Sequence, residues 1–349
     1  MKLLITGGCG FIGSNFILNQ LRSTSNTIFN VDKLTYSGNL TNLKSLDKNK
    51  NYQFIQGDII DSKLIKDIIF DYKPNRLIHF AAESHVDRSI DSPMPFIQTN
   101  IVGTANLLDI SYNYWLKNRN SDFRFIHIST DEVYGSLGKT GFFDEKTPYN
   151  PKSPYSSSKA SSDHLVRAWH STYNLPVNIT NCSNNYGPFQ FPEKLVPLMI
   201  INSIDEKPLP IYGKGDNVRD WLFVNDHCTA INQVMHNGRI GETYNIGGIN
   251  ELSNLEIVNQ ICKALDKKKP RRNDMKYSEL ITFVDDRPGH DFRYAINPNK
   301  IQNELGWSPK ESYKTGLNKT IDWYLKNESW WREIQSKKYH QERLGLKKS

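Results

Sequence analysis

Two hydrophobic periods alternate along the first half of this chain. Short, nearly continuous apolar runs (Leu3 to Ile5, Thr27 to Val31, Tyr52 to Gln56, Arg76 to Phe80, Phe125 to Ile128, Val177 to Cys182) are separated by segments whose apolar residues recur at helical spacing. The runs read as buried strands. The segments between them read as helices, among them Ser14 to Leu21, Leu64 to Phe70, a long one beginning at Asn100, and one headed by Tyr155 that continues to Trp169. Regular alternation of this kind predicts an α/β fold built on a doubly wound parallel sheet.

Beyond Cys182 the regularity loosens. Ser183 to Pro188 reads as a polar turn, residues 191–197 and 208–215 as irregular segments, and Thr243 to Gly248 as a strand and turn. Ser253 followed by Glu256 is a capping box that opens a helix over Leu255 to Leu265. The expected division is a doubly wound domain over residues 1–182, to which roughly 218–246 returns, and a smaller, mixed α/β C-terminal substrate domain over 183–349. Residues 136–154 carry Gly, Lys and Pro and read as a mobile loop next to the strand end that precedes them. No internal repeat or low-complexity tract is visible.

Composition narrows the classes. With 349 residues, 38% hydrophobic and 23% charged, the chain has the make-up of an ordinary globular protein with a sizeable core. The formal charge of +7 is concentrated in part near the C-terminus (Lys337, Lys338, Arg343, Lys347, Lys348), where it reads as a solvated tail. Lys267 to Arg272 reads as a solvated linker. No arginine-rich or aromatic-interleaved block is present, so nucleic acid is not an expected partner. Cys9, Cys182, Cys228 and Cys262 are scattered without metal-like spacing, which points to reduced thiols, no metal and a cytoplasmic location. No apolar run reaches membrane-spanning length. Residues 1–5 lead straight into a glycine loop and are expected to be a strand and not a signal peptide.

The first candidate chemistry is Ser129-Thr130-Asp131-Glu132-Val133-Tyr134-Gly135, closing the run Phe125 to Ile128. In open α/β sheets ligands sit at the carboxyl ends of strands, and adjacent partly buried acids cost stability if both ionise. A capping cluster explains those seven residues equally well on local grounds. Gly7, Gly10 and Gly13 lie between a strand and a helix, the context of a dinucleotide fingerprint, although GxxGxxG differs by one residue from the commonest spacing. The next strand ends in Asp32, about 20 residues on, where an acid binds an adenosine ribose diol. That pairing predicts a Rossmann-type, NAD-binding domain. Asp32 disfavours a 2′-phosphate, with Lys33 beside it as the contrary signal. Asp58 and Ile59 follow a strand end that flanks an adenine, and Ala81-Ala82 allow close cofactor approach. His85 is balanced between a backbone-bonded loop histidine and a substrate contact.

Tyr155 and Lys159 are i and i+4 on one helix face. A phenol with an ordinary pKa of about 10 is a poor base, but a neighbouring ammonium and an oxidised nicotinamide stabilise its phenolate. Such a tyrosine takes a proton from an alcohol as NAD accepts hydride. Arg219 is balanced between a phosphate clamp and an ion pair with Asp220 or Asp226. Asp285 to Asp291 gathers ionisable groups around a rigid turn, a second diphosphate or sugar clamp.

With these pieces assembled, the chain resembles the extended short-chain dehydrogenase/reductase family, and within it the nucleotide-sugar 4,6-dehydratases. The matching stretches are TGGCGFIGSNF, FAAESHVDRSI, STDEVYG, YSSSKASSDHLVRAW, TNCSNNYGPFQFPEKL, PLPIYGKGDNVRDWLFV, ETYNIGG and DDRPGHDFRYAI, which run nearly end to end. The resemblance implies a tightly bound NAD regenerated each turnover. It places the cofactor against Gly7, Gly10, Phe11, Ile12, Gly13, Asp32, Lys33, Leu34, Thr35, Asp58, Ile59, Phe80, Ala81, Ala82, Ser84, Thr99, Tyr155, Lys159 and Asn185. It implies that Tyr155 takes the C4 hydroxyl proton, that Lys159 holds the nicotinamide ribose and lowers the tyrosine pKa, and that Thr130 bonds the C4 oxygen. Glu132 would take the C5 proton while Asp131 protonates the departing C6 hydroxyl. The nucleotide-diphosphate sugar, dTDP-glucose or UDP-glucose, would lie against Ser84, Thr130, Asn184, Glu193, Lys194, Leu195, Pro210, Ile211, Tyr212, Arg219, Asn254, Asp286, Arg287 and His290. Family members pair as homodimers, here through the helices starting near Asn100 and Tyr155.

Rival readings share the fold. Family 4-epimerases typically carry small residues in place of the adjacent acids, and UDP-glucuronate decarboxylases keep the glutamate but tend to have serine before it. Asp131 followed by Glu132 therefore favours loss of water. A non-catalytic NAD-binding scaffold has no need of Tyr155, Lys159, Asp131 and Glu132 together.

Overall fold

A computed structural model describes residues 1–118, 122–286 and 290–337. Arg287 and the tail positions Lys338, Arg343, Lys347 and Lys348 lie outside the described residues. The chain opens with β1 (Lys2–Thr6), α1 (Phe11–Ser23), β2 (Thr27–Asp32), β3 (Tyr52–Gln56), α2 (Ser62–Tyr72) and β4 (Arg76–His79). Two short helices, α3 (Val86–Asp91) and α4 (Met94–Phe96), lead through a π-helical turn (Ile97–Gly103) into α5 (Thr104–Asn118) and β5 (Arg124–Thr130). A 3-10 turn (Asp131–Tyr134) precedes α6 (Pro154–Tyr173), β6 (Val177–Cys182), β7 (Asn184–Tyr186), α7 (Leu195–Ile204), β8 (Leu209–Tyr212), β9 (Val218–Phe223), α8 (Val224–Asn237) and β10 (Thr243–Ile246). Then come β11 (Glu251–Ser253), α9 (Asn254–Lys268), β12 (Ile281–Val284), α10 (Asn299–Leu305), α11 (Tyr313–Lys326) and α12 (Glu328–Lys337).

Seven strands form one parallel sheet in the order β10-β6-β5-β4-β1-β2-β3. The winding reverses between β1 and β4, which opens a crevice at their carboxyl ends. Strand residues alternate between two apolar layers, and this is why the runs read as continuously hydrophobic. Leu4 and Phe125 face the layer with α2, α5 and α6. Leu3, Ile5, Ile126 and Ile128 face the layer with α1 and α8. A second core gathers Ile200, Ile211, Trp221, Ile257, Ile261, Tyr313 and Trp331 around two small sheets, β11-β9-β7 and β12-β8. Among the described residues no helix is long and apolar enough to cross a membrane.

Four expectations are revised. Helical backbone begins at Met94, before Asn100, and passes through the π turn. That turn brings the Asn100 side chain inward, where its amide accepts from the Glu83 N–H, donates to the Glu83 carbonyl and donates to the Ser158 hydroxyl (2.9, 2.9 and 2.8 Å). Residues 136–154 are pinned and not loose: Phe143 is buried against Tyr134, Tyr294 and Ile296, and its N–H donates to the Ala295 carbonyl. The loop shows no period in sequence because Leu137, Phe143 and Tyr149 are six residues apart. The return to the main sheet is made by β10, with α8 on its face, whereas β9 pairs with β7 and β11. Part of the polar turn is itself strand β7, because Tyr186 packs on Trp221, Phe223 and Tyr313.

Candidate active site

The crevice at the carboxyl ends of β1, β4 and β5 is one continuous cleft of about 1590 Å³, open mouth included. Its lining runs without a break from the glycine loop past Thr130 and Tyr155 to Glu193 and Lys194. Its floor is the glycine loop. Gly7 has φ +75°, and a Cβ there would stand 2.4 Å from the Ala81 nitrogen. A Cβ on Gly13 would stand 2.5 Å from the Gly7 carbonyl oxygen. Gly10 is the N-cap of α1 with no side-chain cap, and the first residues of the helix, Phe11 to Gly13, line the cleft. A cradle of this shape fits the diphosphate of a dinucleotide.

Asp32 ends β2 with its carboxylate accepting the N–H groups of Cys9 (2.9 Å) and Leu34 (2.8 Å), so the acid also braces the loop. Lys33 pairs with Asp58 at 2.7 Å, which neutralises the signal for a 2′-phosphate. Of the expected cofactor positions, Phe11, Ile12, Thr35, Ile59, Phe80, Ala82, Ser84, Thr99 and Asn185 line the cleft with the residues already named. Leu34 does not line it; its side chain packs on the core and its backbone serves Asp32.

Thr130, Asp131, Glu132, Tyr155 and Lys159 all border the same cleft. Strand β5 delivers Thr130, and the 3-10 turn capped by the Thr130 hydroxyl holds the two acids. Helix α6 starts on a capping box of Ser153 and Ser156 with Pro154 in its first turn, which aims Tyr155 and Lys159 at the strand end. The Lys159 ammonium donates to the Ile128 carbonyl at 2.8 Å.

Burial and then the charge of Glu132 push the Asp131 carboxyl well above the ordinary carboxylate range, with Arg219 opposing. That direction favours Asp131 as the acid of the pair. Its Oδ2 and the Asn184 Oδ1 are buried without a hydrogen-bond partner among the described residues, as expected where a polar ligand completes a site. Burial, then Glu132, push the Tyr155 phenol well above its usual value, with the Thr130 hydroxyl opposing. Lys159 itself is pulled down to about 8 by burial, with Asp163 opposing.

The expected sugar-nucleotide residues divide. Ser84, Asn184, Glu193 and Lys194 border the cleft. Leu195 begins α7 and packs toward the second core. Ile211 turns its side chain into that core, so only its backbone remains for a ligand. Tyr212, Asp286 and His290 form a separate group: the histidine Nδ1 is 2.7 Å from Asp286, and its ring meets Tyr212 edge-on. Pro210 sits on β8 beside them, and Asn254 opens α9. Arg219 donates to the carbonyls of Val218, Phe292 and Asp291 and stacks 4.3 Å over Tyr294. Asp220 instead accepts the Gly248 and Asn250 amides, and Asp226 the Glu311 amide. His85 is buried, 3.9 Å from Glu193.

Several participants escaped the sequence reading. Tyr36 lines the cleft and donates to Glu193. Tyr294 is buried near Glu132, whose charge helps raise it. Asp163 lies one helical turn beyond Lys159, a spacing visible in SSKASSD.

Comparison with known proteins follows the geometry. Residues 4–320 match the family model described as GDP-mannose 4,6 dehydratase. A dTDP-glucose 4,6-dehydratase of Neisseria meningitidis serogroup B is 54% identical over 353 residues, covering 99% of both chains. The crystal structure of a Bacillus anthracis dTDP-glucose 4,6-dehydratase in complex with NAD is 49% identical, with a TM-score of 0.86 over 96% of this chain and 99% of that one. A Streptomyces venezuelae dTDP-glucose 4,6-dehydratase with NAD and TYD bound is 42% identical, with a TM-score of 0.88 over 96% of this chain and 100% of that one.

Proposed function

This chain belongs to the dTDP-glucose 4,6-dehydratase family, and on that premise we propose that it converts dTDP-glucose to dTDP-4-keto-6-deoxyglucose and water. The observation that carries the reading is the pair at the end of β5. A buried Asp131, its carboxyl raised by burial and by its neighbour, stands beside Glu132 in a cleft that also holds Tyr155, Lys159 and a glycine cradle.

NAD, when bound along the cradle, supplies the oxidation at C4 and the matching reduction at C6, so it is regenerated in each turnover. Lys159 donates to the nicotinamide ribose and sets positive charge beside Tyr155. Tyr155 takes the C4 hydroxyl proton, and the Thr130 hydroxyl bonds the resulting C4 oxygen. The ketone acidifies C5–H, which Glu132 removes while Asp131 gives its proton to the leaving C6 hydroxyl, and a proton returns to C5 as C6 is reduced. A carboxyl raised by burial and by its acidic neighbour suits the acid, which leaves the neighbour as the base. Ser84, Asn184, Glu193 and Lys194 hold the nucleotide sugar at the cleft, with Arg219, Tyr212, Asp286 and His290 serving its distal end.

We read the assembly as a homodimer through α5 and α6. Leu116 and Tyr173 are exposed there (46% and 44%), and the Tyr173 ring packs against Tyr112 and Trp169 (5.0 and 5.8 Å). The four cysteines are buried and unbridged, which supports a cytoplasmic location.

The test is direct. Purified protein is incubated separately with dTDP-glucose, UDP-glucose and UDP-glucuronate without reduced cofactor, and product mass is followed. Loss of one water from dTDP-glucose is expected. Equal or better turnover of UDP-glucose would reassign the nucleotide; an unchanged mass with a galactose product, or loss of carbon dioxide, would replace the reaction.

A further inference from the structure

Behind Lys159 lie two buried polar side chains that the reaction above does not use, His127 and Asp163. Lys159 is 3% exposed, and His127 and Asp163 are fully buried. The Lys159 Nζ stands 3.4 Å from His127 Nε2, and that nitrogen stands 3.2 Å from Asp163 Oδ1. Tyr155, Lys159 and Asp163 occupy successive turns of one face of α6. An ammonium this deeply buried costs several kcal/mol unless an anion answers it.

We propose that Asp163 is the counter-ion that keeps Lys159 charged at the cofactor, with His127 wedged between them, which makes Asp163 a positioning residue for the reaction. The inference rests on the reading of Lys159 as the cofactor-holding cation. Three observations carry it. The Asp163 carboxylate is braced as an anion: Oδ2 accepts the hydroxyls of Ser129 (2.9 Å) and Tyr149 (2.8 Å). Burial raises this carboxyl, but His127, Lys159 and the Ser129 hydroxyl outweigh it and leave it below the ordinary carboxylate range. Second, the charge of Asp163 opposes the burial that pulls Lys159 down. Third, the imidazoles that face Lys159, His127 on β5 and His79 on β4, are both driven downward by burial, His127 to about 4. They stay neutral and do not compete as cations. Arg167, stacked 4.7 Å over Tyr149, is the remaining nearby charge.

A simple tie between α6 and β5 would use the same hydroxyl contacts, but it needs no charge, since an asparagine accepts both bonds. The discriminating measurement is therefore a pH midpoint. NAD is titrated into the full chain by calorimetry across a pH series. Wild-type affinity is expected to fall as pH rises through about 8, where Lys159 loses its proton. Asp163→Asn is expected to move that midpoint down by about one pH unit or more, and Asp163→Glu to restore it. An unchanged midpoint in Asp163→Asn, even with a lowered melting temperature, overturns the proposal, and so does a wild-type affinity that ignores pH. Wild-type protein that binds no NAD at any pH would instead sink the reading of the cleft itself. If Asp163→Asn does not fold alone, Lys159→Met/Asp163→Asn carries the test. It folds if the two charges answer each other; if it fails alike, the carboxylate is needed by something other than Lys159 and the proposal is overturned.

Discussion

The Tyr36 hydroxyl donates to the Glu193 carboxylate across 2.9 Å, joining the loop that follows β2 to the segment that leads into α7. Arg88 donates to the other carboxylate oxygen at 3.1 Å and stacks 4.0 Å over the Tyr36 ring. Cofactor loop and sugar-nucleotide segment are thus clamped by one buried acid. Tyr36→Phe leaves that acid short of a donor at a cost of about 1–3 kcal/mol. Thermal melting is expected to drop by several degrees, and initial rates to show KM for the nucleotide sugar rising more than kcat falls. An unchanged KM would remove the clamp from substrate binding.

Asp131→Asn separates function from stability. Burial and Glu132 raise the Asp131 carboxyl, so above the ordinary carboxylate range the folded chain binds a proton that the unfolded chain releases. Stability attributable to this group therefore falls as pH rises. The asparagine variant is expected to lose turnover yet melt about 2 °C or more above wild type near neutral pH, with the gain shrinking toward acid pH. A variant that melts lower at every pH contradicts the assignment.

Glu132→Gln keeps shape and removes the base. Mixed with dTDP-glucose, it is expected to accumulate the near-ultraviolet absorbance of reduced nicotinamide and release no water. Normal turnover would move the C5 base elsewhere.

Gly13→Ala places a methyl 2.5 Å from the Gly7 carbonyl oxygen. The loop must shift away from the diphosphate, and NAD affinity is expected to weaken by roughly tenfold or more, about 1.4 kcal/mol, as read by calorimetry. Retained affinity would mean that the cradle is not where the diphosphate lies.

Much of the site was legible because its signals are local. The glycine loop, Asp32 at a strand end, the acids closing β5 and the Tyr155–Lys159 turn each follow from neighbours in the chain, and backbone geometry then delivers them to one crevice. What escaped depends on partners far apart in sequence. Tyr36 meets Glu193, Asn100 meets Glu83 and Ser158, and His127 meets Asp163 only after the sheet assembles. The surroundings of the tyrosine were hidden for a related reason: Lys159 was visible one turn away, but the burial and the Glu132 charge that raise the phenol are tertiary. Likewise the apolar Ile211 looked available until the second core claimed it.

The central claim is an internal redox dehydration, and an isotope reports on it most directly. dTDP-glucose carrying deuterium at C4 is turned over to completion without added reduced cofactor, and the product is read by mass and NMR. The account predicts loss of one water with the deuterium retained in the same molecule and moved to C6. Deuterium lost to solvent, or still at C4 in a product of unchanged mass, would contradict it.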